Sequence, residues 1–204
     1  MSPSVAKGLL NLRELEIGNC QSMEEVITEG EGVMTLFPLL EKLNLTELPK
    51  LGHFFLTENA LKFPFLKKVE IYDCPKMKTF VQHGISVSLE SDDEVNVMFN
   101  SKVFCPNLEK LHISMAQSIS DLLARGLLNL RSLEIKDCHS MEKVIREEEQ
   151  QGEGIMTLFP LLEELKLQTL PKLGHFFLTE HALKLPFLKE VNIYGCPEMK
   201  AFVQ

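Results

Sequence analysis

Leu130-Arg131-Ser132-Leu133-Glu134-Ile135-Lys136-Asp137-Cys138-His139-Ser140-Met141 decides the fold. At its centre Leu133 and Ile135 alternate with Ser132, Glu134 and Lys136, the period of a strand with one buried face. Five residues are too few to stand alone, so that face needs like partners, and the chain supplies them. The unit Leu-x-x-Leu-x-Leu-x-x-(Cys or small)-x-x-Leu, with aliphatic substitutions, begins at Leu12, Leu40, Leu66, Leu108, Leu130, Leu162 and Leu188. One match occurs by chance in helices. Seven in one chain specify an array whose units bury their apolar faces only against each other.

Strand centres fall at Leu15, Leu43, Val69, Leu111, Leu133, Leu165 and Val191. Parallel stacking about 4.8 Å apart makes one apolar column of them. The pattern is that of leucine-rich repeats. The expected fold class is an α/β repeat solenoid, a leucine-rich-repeat horseshoe with a parallel concave sheet and a mostly irregular or short-helical convex side. Residues 1–204 form one domain of about seven repeats. The long step from Val69 to Leu111 marks an inserted acidic loop at 83–102, containing Glu90-Ser91-Asp92-Asp93-Glu94, in which Val95 to Phe99 is a possible short strand. A smaller acidic loop spans Glu147 to Gly154. Phe37-Pro38, Phe63-Pro64, Cys105-Pro106, Phe159-Pro160 and Leu185-Pro186 mark the return of the chain before each strand, because proline spares a backbone donor where no ladder partner stands.

Cys20, Cys74, Cys138 and Cys196 share the inward-turning position of the repeat and read as buried structural thiols. Cys105 lies outside that register and is expected to be more exposed. Five cysteines without a Cys-x-x-Cys pair suggest neither a disulfide framework nor zinc.

The net charge of -8 argues against a nucleic-acid groove, which needs clustered Lys and Arg, and against an anionic membrane surface. Met1 to Gly8 lacks the basic and apolar segments of a secretory leader. No run approaches the roughly 20 apolar residues of a membrane helix. The expected setting is cytoplasmic. No Gly-x-x-x-x-Gly-Lys-Ser/Thr, Gly-x-Ser-x-Gly or His-Glu-x-x-His occurs, and the six histidines are scattered. The reading is therefore no enzyme, no cofactor and no metal. His53 and His175 are assigned outer-edge packing, and His112 a contact role on its strand.

A second level of repetition is present. Met34 to Gln82 aligns without gaps to Met156 to Gln204, and Gly8 to Ile27 matches Gly126 to Ile145, as after a tandem duplication. Of the six strand positions in the gapless block that point off the core, five differ: Lys42/Glu164, Asn44/Lys166, Thr46/Gln168, Lys68/Glu190 and Glu70/Asn192. Tyr72 and Tyr194 agree. The other 43 positions hold only six differences, so change is concentrated on the concave face. The candidate protein-binding residues are Lys42, Asn44, Lys68, Glu70, Tyr72, Lys110, His112, Glu134, Lys136, Glu164, Lys166, Glu190, Asn192 and Tyr194. The tyrosines are the expected anchors.

Leu12-Arg13-Glu14-Leu15-Glu16-Ile17 with Cys20 and Ser22-Met23-Glu24-Glu25-Val26-Ile27, its counterpart from Leu130 to Ile145, Ile71-Tyr72-Asp73-Cys74-Pro75 and Phe104-Cys105-Pro106-Asn107-Leu108 resemble the C-terminal repeats of plant intracellular immune receptors. More narrowly, they resemble the coiled-coil, nucleotide-binding, leucine-rich-repeat class of disease-resistance protein. The resemblance covers nearly the whole chain except the insertion. It implies a protein-interaction module that senses pathogen effectors or restrains a nucleotide-binding switch. The implied partner is an effector, a guarded host protein or the receptor's own nucleotide-binding domain. The chain shows no coiled coil and no nucleotide-binding segment, so ATP binding is not carried over. It has the look of a fragment, a truncated gene product or an excised domain, whose last unit, Val191 to Gln204, is expected to fray or self-associate for want of a cap. The alternatives are a substrate-recruiting adaptor of a ubiquitin ligase, or a non-functional fragment of a duplicated resistance gene.

Overall fold

A computed structural model describes residues 2–27, 34–57, 60–82, 98–99, 103–119, 127–145, 156–157, 159–177 and 183–203. Its main element is a seven-stranded parallel sheet, here numbered β1 (Glu14–Gly18), β2 (Lys42–Thr46), β3 (Lys68–Tyr72), β4 (Lys110–Ser114), β5 (Ser132–Lys136), β6 (Glu164–Gln168) and β7 (Glu190–Tyr194). The strands lie side by side in chain order, in the register that the repeat dictates. Leu15 pairs with Leu43, Leu43 with Val69, Val69 with Leu111, Leu111 with Leu133, Leu133 with Leu165 and Leu165 with Val191. This is the leucine-rich-repeat fold.

Two turns bracket a strand. Before it, an i to i+3 backbone bond closes Phe37 to Leu40, Phe63 to Leu66, Cys105 to Leu108, Phe159 to Leu162 and Leu185 to Leu188. After it, similar bonds close Leu48 to Leu51, Cys74 to Met77, Leu170 to Leu173 and Cys196 to Met199. The prolines sit second in these turns, where their fixed φ suits the backbone.

Between strand and second turn the chain changes direction at one residue in the left-handed region: Asn19, Glu47, Asp73, Met115, Asp137, Thr169 and Gly195, with φ between 51° and 69°. Asn, Asp and Gly tolerate this conformation; Glu, Met and above all β-branched Thr do not choose it. What holds them is the array. The N–H of Glu47 donates to the Tyr72 carbonyl at 2.9 Å, that of Met115 to Lys136 at 3.0 Å and that of Thr169 to Tyr194 at 2.8 Å.

The return side, expected to be irregular or short-helical, carries short parallel ladders. Glu25–Ile27, His53–Leu56 and Thr79–Gln82 form one; Lys143–Ile145, His175–Phe177 and Ala201–Val203 form its duplicate. Equivalent return residues recur at the same height in successive repeats, so the backbone groups that face each other pair. The one helix among the described residues is Pro3–Gly8.

The core is the apolar column of the sheet together with a phenylalanine stack under the return side. Phe54 and Phe80 stack at 4.7 Å, and Phe63 meets Phe80 edge-on at 5.7 Å. Phe99 continues the stack on Phe80 at 5.4 Å. Met98 and Phe99 are buried, and the Met98 carbonyl accepts from Phe80 N–H. This part of the 83–102 insertion is therefore core rather than loop. The rest of it, with its acidic stretch and most of the proposed Val95 to Phe99 strand, lies outside the described residues, as does the second acidic loop.

The cysteine readings need correction at Cys105 and, in part, at Cys20 and Cys196. Cys105 is not exposed: it is 1% accessible, and burial pushes its thiol up to about 12. It closes the turn before β4, whose residues face the core. Cys74 and Cys138 are buried as expected, with thiols raised to about 11 chiefly by burial. Cys20 and Cys196 are only half-buried, because among the described residues their strands have a sheet neighbour on one side only.

Candidate protein-binding face

Alternation along seven parallel strands places every candidate residue on the sheet face turned from the apolar column, in three in-register rows. The first row runs Lys42, Lys68, Lys110, Ser132, Glu164, Glu190 from β2 to β7. The second runs Asn44, Glu70, His112, Glu134, Lys166, Asn192. The third runs Thr46, Tyr72, Ser114, Lys136, Gln168, Tyr194. None of the fourteen candidates is buried. The first row thus carries lysine on β2 to β4 and glutamate on β6 and β7.

The charges of the face are partly paired. Lys42 Nζ lies 2.7 Å from Glu14 and Lys68 Nζ 2.9 Å from Glu70. Lys166 lies 3.7 Å from Glu164 and 3.9 Å from Glu190. The hydrogen bond from Lys42 to Glu14 holds the lysine pKa above its usual value. Lys110 makes no ion pair among the described residues. His112 stands between Glu70 and Glu134 on the adjoining strands. Its Nε2 is covered and makes no hydrogen bond, with the Glu134 carboxylate at 3.7 Å. Tyr72 is 45% exposed and Tyr194 76% exposed, the latter because β7 is an edge strand.

The period-two rule also places Glu14, Glu16, Thr46, Ser132 and Gln168 on this face, although the sequence reading did not single them out as contacts. Ser114 has the right parity but is buried at 2%, set between the larger Tyr72 and Lys136.

A further feature was legible and missed. The residue before each strand reads Arg13, Glu41, Lys67, Glu109, Arg131, Glu163, Lys189, a strict alternation of sign across the sheet. Arg13 pairs with Glu41, which also takes Lys67 at 2.9 Å. Glu163 takes Arg131 at 2.6 Å and Lys189 at 2.5 Å. The Lys67 and Arg13 hydrogen bonds hold Glu41 below the usual carboxylate range, and Lys189 with Arg131 does the same for Glu163. Lining up the seven repeats and reading one column would have found it.

His53 and His175 lie on the return side, as expected. His53 Nε2 is 3.4 Å from Glu25, whereas its duplicate His175 lies opposite Lys143 and its Nε2 has no hydrogen-bond partner. Among the described residues no group of three His, Cys, Asp or Glu is placed to hold a metal. No helix among them is long and apolar enough to cross a membrane.

The model of one family, plant disease resistance protein RPS2-like, leucine-rich repeats, matches residues 1–91 and again 91–203. The two matches divide the chain between its duplicated halves. The chain is 34% identical over 138 residues to disease resistance protein SUMM2 of Arabidopsis thaliana, which is 66% of this chain and 14% of that protein. It therefore spans only a small part of the length of that relative. No solved structure matches the chain.

Proposed function

The chain belongs to the RPS2-like leucine-rich repeats of plant disease-resistance proteins, and from that premise we propose that the outward sheet face is its recognition surface in immunity. The coarser role, protein interaction in plant defence, is that of the family. The finer reading is a face that senses a pathogen effector or a guarded host protein, or that holds a nucleotide-binding domain at rest, in the cytoplasm. One observation carries it. Between the duplicated halves the framework is retained while five of six outward strand positions change, two of them with reversal of charge. Side chains fixed on paired strands lose little freedom on binding. Charges arranged in this way select a partner more than they hold it, while the exposed tyrosines supply contact area.

The test uses the protein captured from plant extract by the full chain, with and without effectors. Tyr72→Ala with Tyr194→Ala is expected to weaken that binding tenfold or more, each anchor contributing on the order of 1–2 kcal/mol. Changing Lys50 and Lys172, exposed on the turns after β2 and β6, to Ala should leave it unaltered. Normal binding by the tyrosine variant and loss in the lysine variant would overturn the assignment.

A further inference from the structure

The ladder before the strands and the first outward row lie side by side and treat charge differently. Along the ladder the sign alternates from repeat to repeat. In the first row like charges meet: Lys42 lies opposite Lys68, Lys68 opposite Lys110, and Glu164 opposite Glu190. Like charges directly opposite on adjoining strands oppose pairing, and a counter-ion relieves them. The two glutamates share one, since Lys166 lies 3.7 Å from Glu164 and 3.9 Å from Glu190. Lys42 has Glu14 at 2.7 Å, and Lys68 has Glu70 at 2.9 Å. Lys110 has no counter-ion among the described residues. It is exposed, on the middle strand of the seven, between Lys68 on β3 and the neutral Ser132 on β5.

We propose that the counter-ion of Lys110 is a carboxylate of the protein partner, an aspartate or glutamate side chain seated against Lys110 and Lys68 at the centre of the face. The inference rests on the outward face being the recognition surface. The charge at the seat matches a carboxylate. Lys68 and Lys110 less Glu70 leave one positive charge, which a singly charged anion neutralises. A doubly charged phosphate overfills the seat and also faces Glu70. Pairs near the centre of an interface, shielded from water, carry most of its energy. A lysine that already stands unpaired gives up no internal ion pair on binding. The net charge of -8 repels acidic proteins at long range, so an acidic side chain gains only where it is delivered to this position.

Three short peptides with blocked ends test the seat. In one, aspartates alternate with glycine; in the second, asparagine replaces each aspartate; in the third, phosphoserine replaces the middle aspartate. Binding to the full chain is followed by NMR shifts in low salt. The aspartate peptide should shift the Lys68 and Lys110 signals most, and bind roughly tenfold more tightly than the asparagine peptide. Lys110→Gln should weaken that binding about fivefold, Lys110→Arg should preserve it, and Lys50→Gln with Lys172→Gln should leave it unchanged. The contrast should fade in 1 M salt. Because Lys110 has no ion pair to lose, Lys110→Gln should melt with the unaltered chain. Unchanged affinity in Lys110→Gln, no binding of the aspartate peptide, or tighter binding of the phosphoserine peptide overturns the proposal. Capture by the tyrosine variant is a separate readout: it can overturn the face assignment, whereas an indifferent Lys110 overturns the carboxylate seat alone.

Discussion

Met34 to Gln82 and Met156 to Gln204 place nearly the same sequence in two surroundings. Both make the same sheet strands and the same turns. Both hold a left-handed residue after each strand, Glu47 and Asp73 in one, Thr169 and Gly195 in the other. Burial does not follow. In the first copy β3 lies between β2 and β4 and its apolar side chains are closed off; in the second, β7 has only β6 beside it among the described residues and its side chains are open. The aromatic stack differs in the same way. Phe54 and Phe80 are extended by Phe63 and Phe99, whereas Phe176 stacks on Phe202 at 4.9 Å and Leu185 replaces the edge-on ring. Backbone conformation is thus a property of the repeat, and burial a property of its neighbours. Stability in such an array is a sum of unit and interface contributions.

The largest expected effect sharpens that contrast. Leu133 is fully buried between β4 and β6. Leu133→Asp places a carboxylate in the core without a partner, at a cost of several kcal/mol, and should abolish a cooperative melt. Val191→Asp, on the open edge, should lower the melting midpoint only slightly. Equal losses in thermal unfolding would break the comparison.

A smaller effect concerns the left-handed positions. Thr169 has φ 54° and a branched Cβ; its duplicate Glu47 has φ 53° and an unbranched one. Thr169→Gly should stabilise by up to about 1 kcal/mol, the relief of strain exceeding the entropy lost through glycine. Glu47→Gly should gain less. Denaturant unfolding of both variants measures the difference, and a loss on Thr169→Gly would mean that its side chain holds the turn.

The smallest effect is electrostatic and should be alike in the two halves. Glu41 and Glu163 have depressed pKa values in the folded protein, set by Lys67 with Arg13 and by Lys189 with Arg131. A carboxylate of lowered folded pKa stabilises above its unfolded pKa, and that stability is lost as pH falls through the folded value. Glu41→Gln and Glu163→Gln should each flatten the acid side of the curve of melting midpoint against pH, by similar small amounts, since both ladders are solvent-exposed. A clear effect in one half alone would show that the ladder is not equivalent along the sheet.

Much was legible in the sequence, because a leucine-rich strand writes its buried face and its register in one short pattern. The seven strand centres, their parallel order, the outward candidate residues and the inward place of Cys74 and Cys138 all follow from residues a few positions apart. The alternating ladder before the strands was equally open to reading. Tertiary structure decided what depends on residues far apart in the chain. Cys105 and Phe99 are core because the return side closes over them. Glu47, Met115 and Thr169 adopt a backbone they do not favour because the next repeat accepts their N–H groups. Ser114 is covered by Tyr72 and Lys136 across the sheet. Val191 and Val69 have the same sequence signature, and only the strand that lies beyond one of them determines which is buried.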